Sequence, residues 1–176
     1  MSQPPDQGAT APPDIIYIIR HGEKPADPPG VAPGQTPPAP VPPFGVDSQG
    51  NENPHLLLPT GWQRSGALAV LFDPATGPFQ AGLRTPAALL SPSYGSADKT
   101  AEHRTYQTVQ ALSDRLGLAI VSAYPEGDEP QLAAAVVSQN FSVVLICWEH
   151  DHIPSLASSL PAVAGPVIPQ TWPGAS

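Results

Sequence analysis

Two histidines of this chain come at the ends of short apolar segments, where a buried strand would deliver a side chain to the edge of a sheet. His21 follows residues 14–19 and has Arg20 directly before it, and His150 comes just after residues 143–148. A neutral imidazole can attack phosphorus and carry the phosphoryl group as phosphohistidine. An arginine fork pairs bidentately with phosphate oxygens. These residue types are therefore capable of chemistry on a phosphoryl group.

The scarcity of cations makes their positions informative. The 176 residues include seven Lys and Arg against fifteen Asp and Glu, which gives a net charge of −8. This acidity argues against nucleic acid or an anionic membrane as a partner, so an anionic substrate needs a local positive pocket. Arg20 and Arg104 are the candidates for that pocket, whereas Arg64 and Arg84 are interpreted as surface charges.

Short apolar segments alternate with helical patterns along the chain. Strands are predicted at residues 14–19, 87–91, 119–123 and 143–148, the first of them buried on both faces. Helices are predicted at residues 60–72, 98–116, from 128 onward and from 154 to before 161, and a last short strand at 163–168. The alternation predicts an α/β fold, a three-layer α/β/α sandwich with a mostly parallel central sheet.

Local signals predict where these helices begin, end and pack. Thr60 with Gln63 fits a capping box, and this first helix is expected to bury Trp62, Leu68 and Leu71. Asp128 is expected to cap the third helix. The second helix should end at Gly117. One face of it should be buried, formed by Thr105, Thr108, Val109, Leu112 and Leu116.

The predicted topology brings chemistry-bearing residues toward one edge. Ligands of parallel α/β sheets bind beyond the carboxyl ends of the strands. The residues after the first, second and fourth predicted strands are Arg20 and His21, Ser91, and His150. We therefore expect these positions to converge on one face of the molecule.

Four segments, in this order, resemble the signature of the histidine phosphatase superfamily, also called phosphoglycerate mutase-like proteins, in its small bacterial branch 1 form. The first is Arg20-His21-Gly22-Glu23. The second, Leu58-Pro59-Thr60-Gly61-Trp62-Gln63-Arg64-Ser65, departs from the family pattern by one residue around Pro59. The third is Ser91 followed, after an insertion, by His103-Arg104-Thr105-Tyr106-Gln107-Thr108, and the fourth is the apolar segment 144–150. The resemblance extends from about residue 14 to residue 160.

The resemblance implies a function and a set of roles. His21 is the expected nucleophile, and Arg20, Arg104 and His150 are expected to bind the phosphoryl group. The implied activity is a metal-independent phosphatase that hydrolyses phosphomonoesters or phosphoramidates without a cofactor. Its expected partner is a small phosphorylated substrate or a phosphoprotein.

The general acid is open among several carboxyl groups. A leaving alkoxide needs a proton, which a carboxyl group near the nucleophile usually donates. Mutase-type members of the family place a glutamate after the third strand, which favours the cluster Glu126, Asp128 and Glu129. The pair His150-Asp151 resembles instead the His-Asp dipeptide of the acid phosphatase branch, which favours Asp151. Glu23 is a further candidate because it is close in sequence to His21.

Three other hypotheses remain beside the phosphatase. The first is a non-catalytic phosphate-binding or scaffold protein on the same fold. The second is a metal site formed by residues 149–152, whose two histidines could lie on one side of a strand end. The third, a Ser-His-Asp hydrolase using Ser93, lacks the leading glycine of a nucleophile elbow.

Composition also predicts the domain organisation. The polar, Pro-rich residues 1–13 predict a disordered tail, and residues 14–176 a single catalytic domain with a Pro-rich loop at 25–54. Cys147 is the one cysteine of the chain, and its apolar surroundings predict a buried thiol. No signal-peptide pattern is visible and no apolar run approaches the ~20 residues of a membrane span. These features predict a cytoplasmic protein with no membrane partner and leave its oligomeric state open.

Overall fold

A computed structural model describes residues 12–26, 36, 38–39 and 41–161 of the chain. Most of the predicted tail, part of the Pro-rich loop and the predicted strand at 163–168 lie outside the described residues. The elements in chain order are β1 Ile15–Arg20, β2 Gly45–Val46, β3 Glu52–Asn53, α1 Pro59–Phe72, β4 Ala88–Leu90, α2 Ala97–Ala101, α3 Arg104–Leu116, β5 Ile120–Val121, α4 Glu129–Ser138, β6 Val143–Trp148 and α5 Ile153–Ser159.

The central sheet has four parallel strands in the order β1-β6-β4-β5. The β6 strand is buried at all six positions, as expected for an apolar strand covered on both faces. The β1 strand pairs with β6 from Ile15 opposite Val143 to Arg20 opposite Trp148. The prediction that β1 is buried on both faces is wrong. All six of its residues are half-buried, because β1 is an edge strand of the described sheet.

Helices cover both faces of this sheet, which confirms the predicted α/β architecture with a parallel sheet. On one face the helices α1 and α3 pack through Ala69, Phe72, Val109 and Leu112. On the other face α4 and α5 pack through Leu132, Val136, Ile153 and Leu156. The described helices include none that is long and apolar enough to cross a membrane.

The segment predicted as one helix at residues 98–116 forms two helices, so that prediction is wrong. Ser96 caps α2, its hydroxyl accepting the Lys99 N–H at 3.4 Å. His103 has extended backbone angles and interrupts the helical hydrogen bonding before α3 begins. The end of α3 is as predicted, because Gly117 adopts the left-handed conformation with φ of 65°. The predicted face of α3 is buried except for Leu116, which is half-buried.

The predicted start and packing face of α1 are also wrong. The helix begins at Pro59 with Leu58 at the N-cap, and no side chain caps it. Its buried residues are Gly61, Ser65, Ala69 and Phe72. These mostly small residues allow close approach to α3, where the Ser65 hydroxyl donates to the Gln107 carbonyl at 2.9 Å. Of the three predicted core residues, Trp62 and Leu68 are half-buried and Leu71 is 37% exposed.

Two further sequence predictions hold only in part, namely the cap at Asp128 and the Pro-rich loop. Asp128 is the N-cap residue of α4, but its side chain makes no capping hydrogen bond. The predicted Pro-rich loop contains the small antiparallel hairpin β2–β3. The Asp47 carboxylate closes that hairpin by accepting the N–H groups of Gln49 and Asn51, both at 2.8 Å. The Trp62 indole donates to the Val46 carbonyl at 2.8 Å and ties the hairpin to α1.

Cys147 lies in β6, and its side chain is fully buried, as predicted. Burial raises the pKa of the Cys147 thiol well above its usual range. The thiol is therefore a core group of the sheet.

The segment after β1 packs against the first turn of α1 through two glycines. A β-carbon at Gly61 would lie 2.7 Å from the Glu23 carbonyl oxygen, and one at Gly22 would lie 3.2 Å from the Gly61 α-carbon. The Leu58 N–H donates to the same Glu23 oxygen at 2.9 Å. Backbone contacts thus fix the chain immediately after His21.

We predict opposite stability changes for one substitution made twice in α1. Gly61→Ala should lower the free energy of unfolding by about 1–3 kcal/mol, because the new methyl group meets the Glu23 backbone. Gly66→Ala should raise it by about 0.5–1 kcal/mol, because nothing lies within 4 Å of its β-carbon position and alanine favours helix. Urea unfolding of both variants measures these changes. Stabilisation by both would show that the close approach of the two segments is absent.

Candidate active site

The pairing of β1 with β6 places His21 beside Glu149. Arg20 is opposite Trp148 in the sheet register, so the next residue of each strand leaves the same edge. The His21 side chain has no exposed surface. Its Nδ1 lies 2.7 Å from the Gly22 carbonyl oxygen. Because a carbonyl oxygen only accepts, Nδ1 carries the hydrogen, and in the neutral form of the ring this leaves the free electron pair on Nε2.

The Glu149 carboxylate is the centre of the site. Its Oε2 lies 3.4 Å from His21 Nε2 and 3.4 Å from His150 Nδ1. Its Oε1 accepts a hydrogen bond from Arg104 Nε at 3.1 Å. Burial opposes ionisation of Glu149, but the adjacent His21 ring and the Arg104 guanidinium outweigh it and hold the pKa of this carboxyl well below its usual range.

Two buried ring nitrogens in this cluster have no hydrogen-bond partner among the described residues. They are His21 Nε2 and His150 Nδ1, the two atoms that face Glu149. The two rings meet edge to face, with centroids 5.8 Å apart and an interplanar angle of 81°. Unsatisfied buried polar atoms are rare in folded proteins, so this pair makes the cluster a candidate functional site.

A pocket of about 370 Å³ opens next to the cluster. Glu149 and His150 line it, whereas the described lining does not include the buried His21, whose Nε2 lies 3.4 Å from Glu149 Oε2. Its lining is polar throughout and consists of Lys24, His55, Tyr94, His103, Arg104, Glu126, Glu149, His150, Asp151 and His152. The described lining combines two cations, Lys24 and Arg104, with three carboxyl groups, Glu126, Glu149 and Asp151, so the pocket is mixed in charge.

One wall of the pocket is a stack of rings. Tyr94 and His103 lie parallel, with centroids 3.5 Å apart, and His55 stacks with His103 at a centroid distance of 5.8 Å. The Tyr94 hydroxyl donates a short hydrogen bond to Glu126. Burial and the Glu126 carboxylate raise the pKa of Tyr94, so the phenol stays neutral and remains a donor to Glu126.

Helix α3 holds Arg104 and the segment after His21 in one network. The Thr108 hydroxyl accepts the Gly22 N–H at 2.8 Å and donates to the Arg104 carbonyl at 2.7 Å. The buried Gln107 side chain accepts the Leu57 N–H at 2.9 Å. The Arg-Thr-Tyr-Gln-Thr segment, singled out for Arg104, therefore supplies two positioning residues as well.

The structure brings three of the four predicted phosphate-binding or nucleophilic residues together. Arg104 and His150 surround Glu149, and His21 lies directly beneath it. Arg20 ends β1 opposite Trp148, and the described pocket lining does not include it. Ser91, also predicted at this edge, bonds Ser122 at 2.8 Å instead of lining the described pocket.

Two of the five predicted general-acid candidates line the pocket, namely Glu126 and Asp151. The side chain of Asp151 is 83% exposed, with Oδ1 3.4 Å from His150 Nε2. Glu126 is held by Tyr94, at the wall of the pocket.

The other three candidates lie in structural contacts. Glu23 forms an ion pair with Arg64, whose hydrogen bonding keeps the pKa of this carboxyl below its usual value. Glu129 is buried and accepts the Trp148 indole N–H at 3.0 Å. Asp128 occupies the N-cap of α4. The described pocket lining includes none of the three.

Sequence reasoning missed Glu149 as the centre of the site and named it only within the metal hypothesis. The pairing register of the sheet is the signal that could have revealed Glu149, since the pairing of β1 with β6 places His21 and Glu149 side by side. The metal hypothesis named the wrong set of residues. His152 Nδ1 lies 3.1 Å from Glu129, and the compact set is His21, Glu149 and His150, whose ligand atoms lie within 4.8 Å of one another.

Comparison of the chain with protein-family models, with curated proteins and with solved structures found no match. Fold and site therefore define the protein only as an α/β protein. Its polar pocket, centred on a carboxylate, lies at the carboxyl edge of a parallel sheet.

The ring stack predicts a pH-dependent stability. Burial, assisted by the charges of His55 and Arg104, lowers the pKa of His103 from 6.5 to about 4. Between these values the unfolded chain binds a proton that the folded protein does not, so the free energy of unfolding should fall as the pH falls from about 6.5 to about 4. His103→Gln should remove this part of the loss.

Urea unfolding of both proteins at a series of pH values measures the effect. Above pH 6.5 the ring is neutral in both states, so the two proteins should differ there by a constant amount. The same constant difference at pH 4.5 would contradict the prediction.

Proposed function

We propose that the protein is a phosphatase of the histidine phosphatase type on a phosphoglycerate mutase-like fold. It would hydrolyse phosphomonoesters or phosphoramidates through a covalent phosphohistidine on His21. The observation that carries the proposal is the tautomer and the orientation of the His21 ring. Nδ1 is fixed by the Gly22 carbonyl, and the unpartnered Nε2 faces the group formed by Glu149, His150 and Arg104. A nucleophilic imidazole needs this tautomer and this orientation.

The contacts of Glu149 support the same proposal from the side of the substrate. Its carboxylate is an anion that touches His21, His150 and Arg104 at once. A phosphoryl group bound to those three residues would occupy the same place, so the carboxylate stands in for phosphoryl oxygens. The proposal therefore requires the Glu149 side chain to turn away when substrate binds.

The reaction follows from these positions. The electron pair on His21 Nε2 attacks phosphorus while the bond from phosphorus to the leaving oxygen breaks. One of the two candidate acids that line the described pocket, Glu126 or Asp151, enters this step in its protonated form and gives its proton to that oxygen. Water then attacks phosphorus, its proton passes to the same carboxylate, and the N–P bond breaks to release phosphate and neutral His21. Arg104 and His150 stabilise the charge on the non-bridging oxygens.

A second candidate is a non-catalytic phosphate-binding protein on the same fold. The observation that favours it is the burial of His21, which is 3% exposed and lies behind Glu149. In that case Arg104 and His150 bind an anion in the pocket, and His21 never meets it.

Turnover of an activated aryl phosphate in the presence of a chelator distinguishes the two. The wild type should hydrolyse it, and His21→Ala should lose at least about 10³-fold in kcat/KM, because the covalent route is removed. Mass spectrometry after an alkaline quench should find the phosphoryl group on His21. Absence of turnover from a folded wild type that still binds phosphate would support the binding protein.

Two arginines of α3 provide a matched control for this assay. Arg104→Ala should lower kcat/KM by about 10²-fold or more, because a charge-assisted contact to the phosphoryl group is lost. Arg115→Ala removes the same side chain from the last turn, where it pairs with Asp73 on the surface. Equal losses in both variants would show that charge in general, rather than the pocket, affects the rate.

Glu149→Gln should strengthen the binding of phosphate analogues such as vanadate by about tenfold or more. The variant keeps the shape of the side chain but removes a negative charge close to the bound anion. The inhibition constant for vanadate against aryl phosphate hydrolysis measures it. An unchanged or higher constant would mean that the anion binds elsewhere than on the Glu149 contacts.

A further inference from the structure

We propose that His21, Glu149 and His150 form a binding site for a divalent transition-metal ion of the Zn²⁺ type, and that the bound ion blocks His21. The site follows from geometry within the described residues. These three side chains offer two ring nitrogens and one carboxylate oxygen within 4.8 Å of one another. The inhibition by the ion rests on the proposed function, whereas the binding of the ion does not.

Two of the distances between donor atoms match the edge of a zinc site, and all three donor atoms lie within 4.8 Å of one another. Zinc binds nitrogen and oxygen at about 2.1 Å, so two ligand atoms of a tetrahedral site lie about 3.4 Å apart. Glu149 Oε2 lies 3.4 Å from His21 Nε2 and 3.4 Å from His150 Nδ1. Such a separation is too long for a good hydrogen bond, but it is the edge of a zinc tetrahedron.

The two ring nitrogens are an independent observation in favour of a ligand. His21 is 3% exposed, and its Nε2 is buried without a hydrogen-bond partner. His150 Nδ1 is buried in the same condition. Leaving such atoms unsatisfied is unfavourable, and a metal ion would satisfy both of them through their free electron pairs.

A second contact orients two of the donor groups, His21 and Glu149, for this role. His21 Nδ1 donates to the Gly22 carbonyl at 2.7 Å, whereas the exposed Asp151 Oδ1 lies 3.4 Å from His150 Nε2, beyond a good hydrogen bond. The other carboxylate oxygen of Glu149 accepts from Arg104 at 3.1 Å and leaves Oε2 for the metal. Histidine ligands backed by a carbonyl or a carboxylate, with carboxylates that are themselves hydrogen-bonded, are the usual outer shell of a metal site.

The type of donor selects the ion, and the pocket leaves room for a fourth ligand. Two imidazoles and one carboxylate suit zinc and related ions, whereas magnesium and calcium prefer oxygen alone. Glu149 and His150 also line the pocket, so water can complete the coordination. Because the ion would take the electron pair of His21 Nε2, it prevents attack on phosphorus and inhibits the proposed phosphatase.

Calorimetric titration of the chelator-treated full-length protein with Zn²⁺ tests binding without reference to activity. We expect one ion per chain, and at least about 100-fold weaker binding for His150→Ala and for Glu149→Gln, because each loses a ligand. His152→Ala is the control, because its Nδ1 contacts Glu129 outside the three-residue set. Circular dichroism establishes that the variants are folded.

Stoichiometric binding that both ligand variants lose, and that His152→Ala keeps, supports the site. Unaltered binding in both ligand variants, or no binding by the folded wild type, overturns it and leaves chelator-resistant turnover untouched. For the inhibitory role, Zn²⁺ should suppress aryl phosphate hydrolysis at the concentrations that fill the site, and chelator should restore it. Activation by Zn²⁺ would overturn that role and the proposed phosphohistidine route together, while the binding data would stand.

Discussion

The parallel pairing of β1 with β6 is the constraint on which the rest of the site depends. The register fixes Arg20 opposite Trp148, so the residues that follow, His21 and Glu149, leave the sheet at the same point. A slip of one residue would send every side chain of the strand to the opposite face. The wholly buried β6 resists such a slip, because its two faces contact two different helical layers. The position of a polar contact is thus set by apolar packing.

Glu149 gives the site a balance of charge that the sequence-based interpretation lacked. The resemblance to histidine phosphatases pointed to histidines and arginines that would bind an anion, and to no acidic group in contact with all of them. The structure adds a carboxylate that touches three of these groups. One side chain can therefore act as competitor to an anion and as ligand to a cation. The two proposed properties are linked, because any group that displaces or neutralises Glu149 alters both.

The sequence predicted what depends on local pattern and missed what depends on packing between elements. Alternating apolar and helical segments were enough for the α/β class, for the strands β4 and β6, and for the left-handed end of α3 at Gly117. They did not show that α1 buries small residues such as Ser65 against α3, because that preference comes from the partner helix. The break at His103 was missed for the same reason, since the stack on Tyr94 is a contact across nine residues. Glu149 required the pairing register, which no single segment contains.

The reactivity of Cys147 depends on how often the core of the protein opens. The sulfur of the one cysteine of the chain is fully buried in β6, with a strand on either side, and only the thiolate form of a cysteine reacts rapidly with electrophiles. The sulfur faces the layer formed by α1 and α3, so a reagent can reach it only when these helices leave the sheet, an opening of the most protected kind in a globular protein. Departure of α3 also takes Arg104 away from Glu149. Alkylation of the Cys147 sulfur and loss of the Arg104 contact are therefore expected to follow from the same opening.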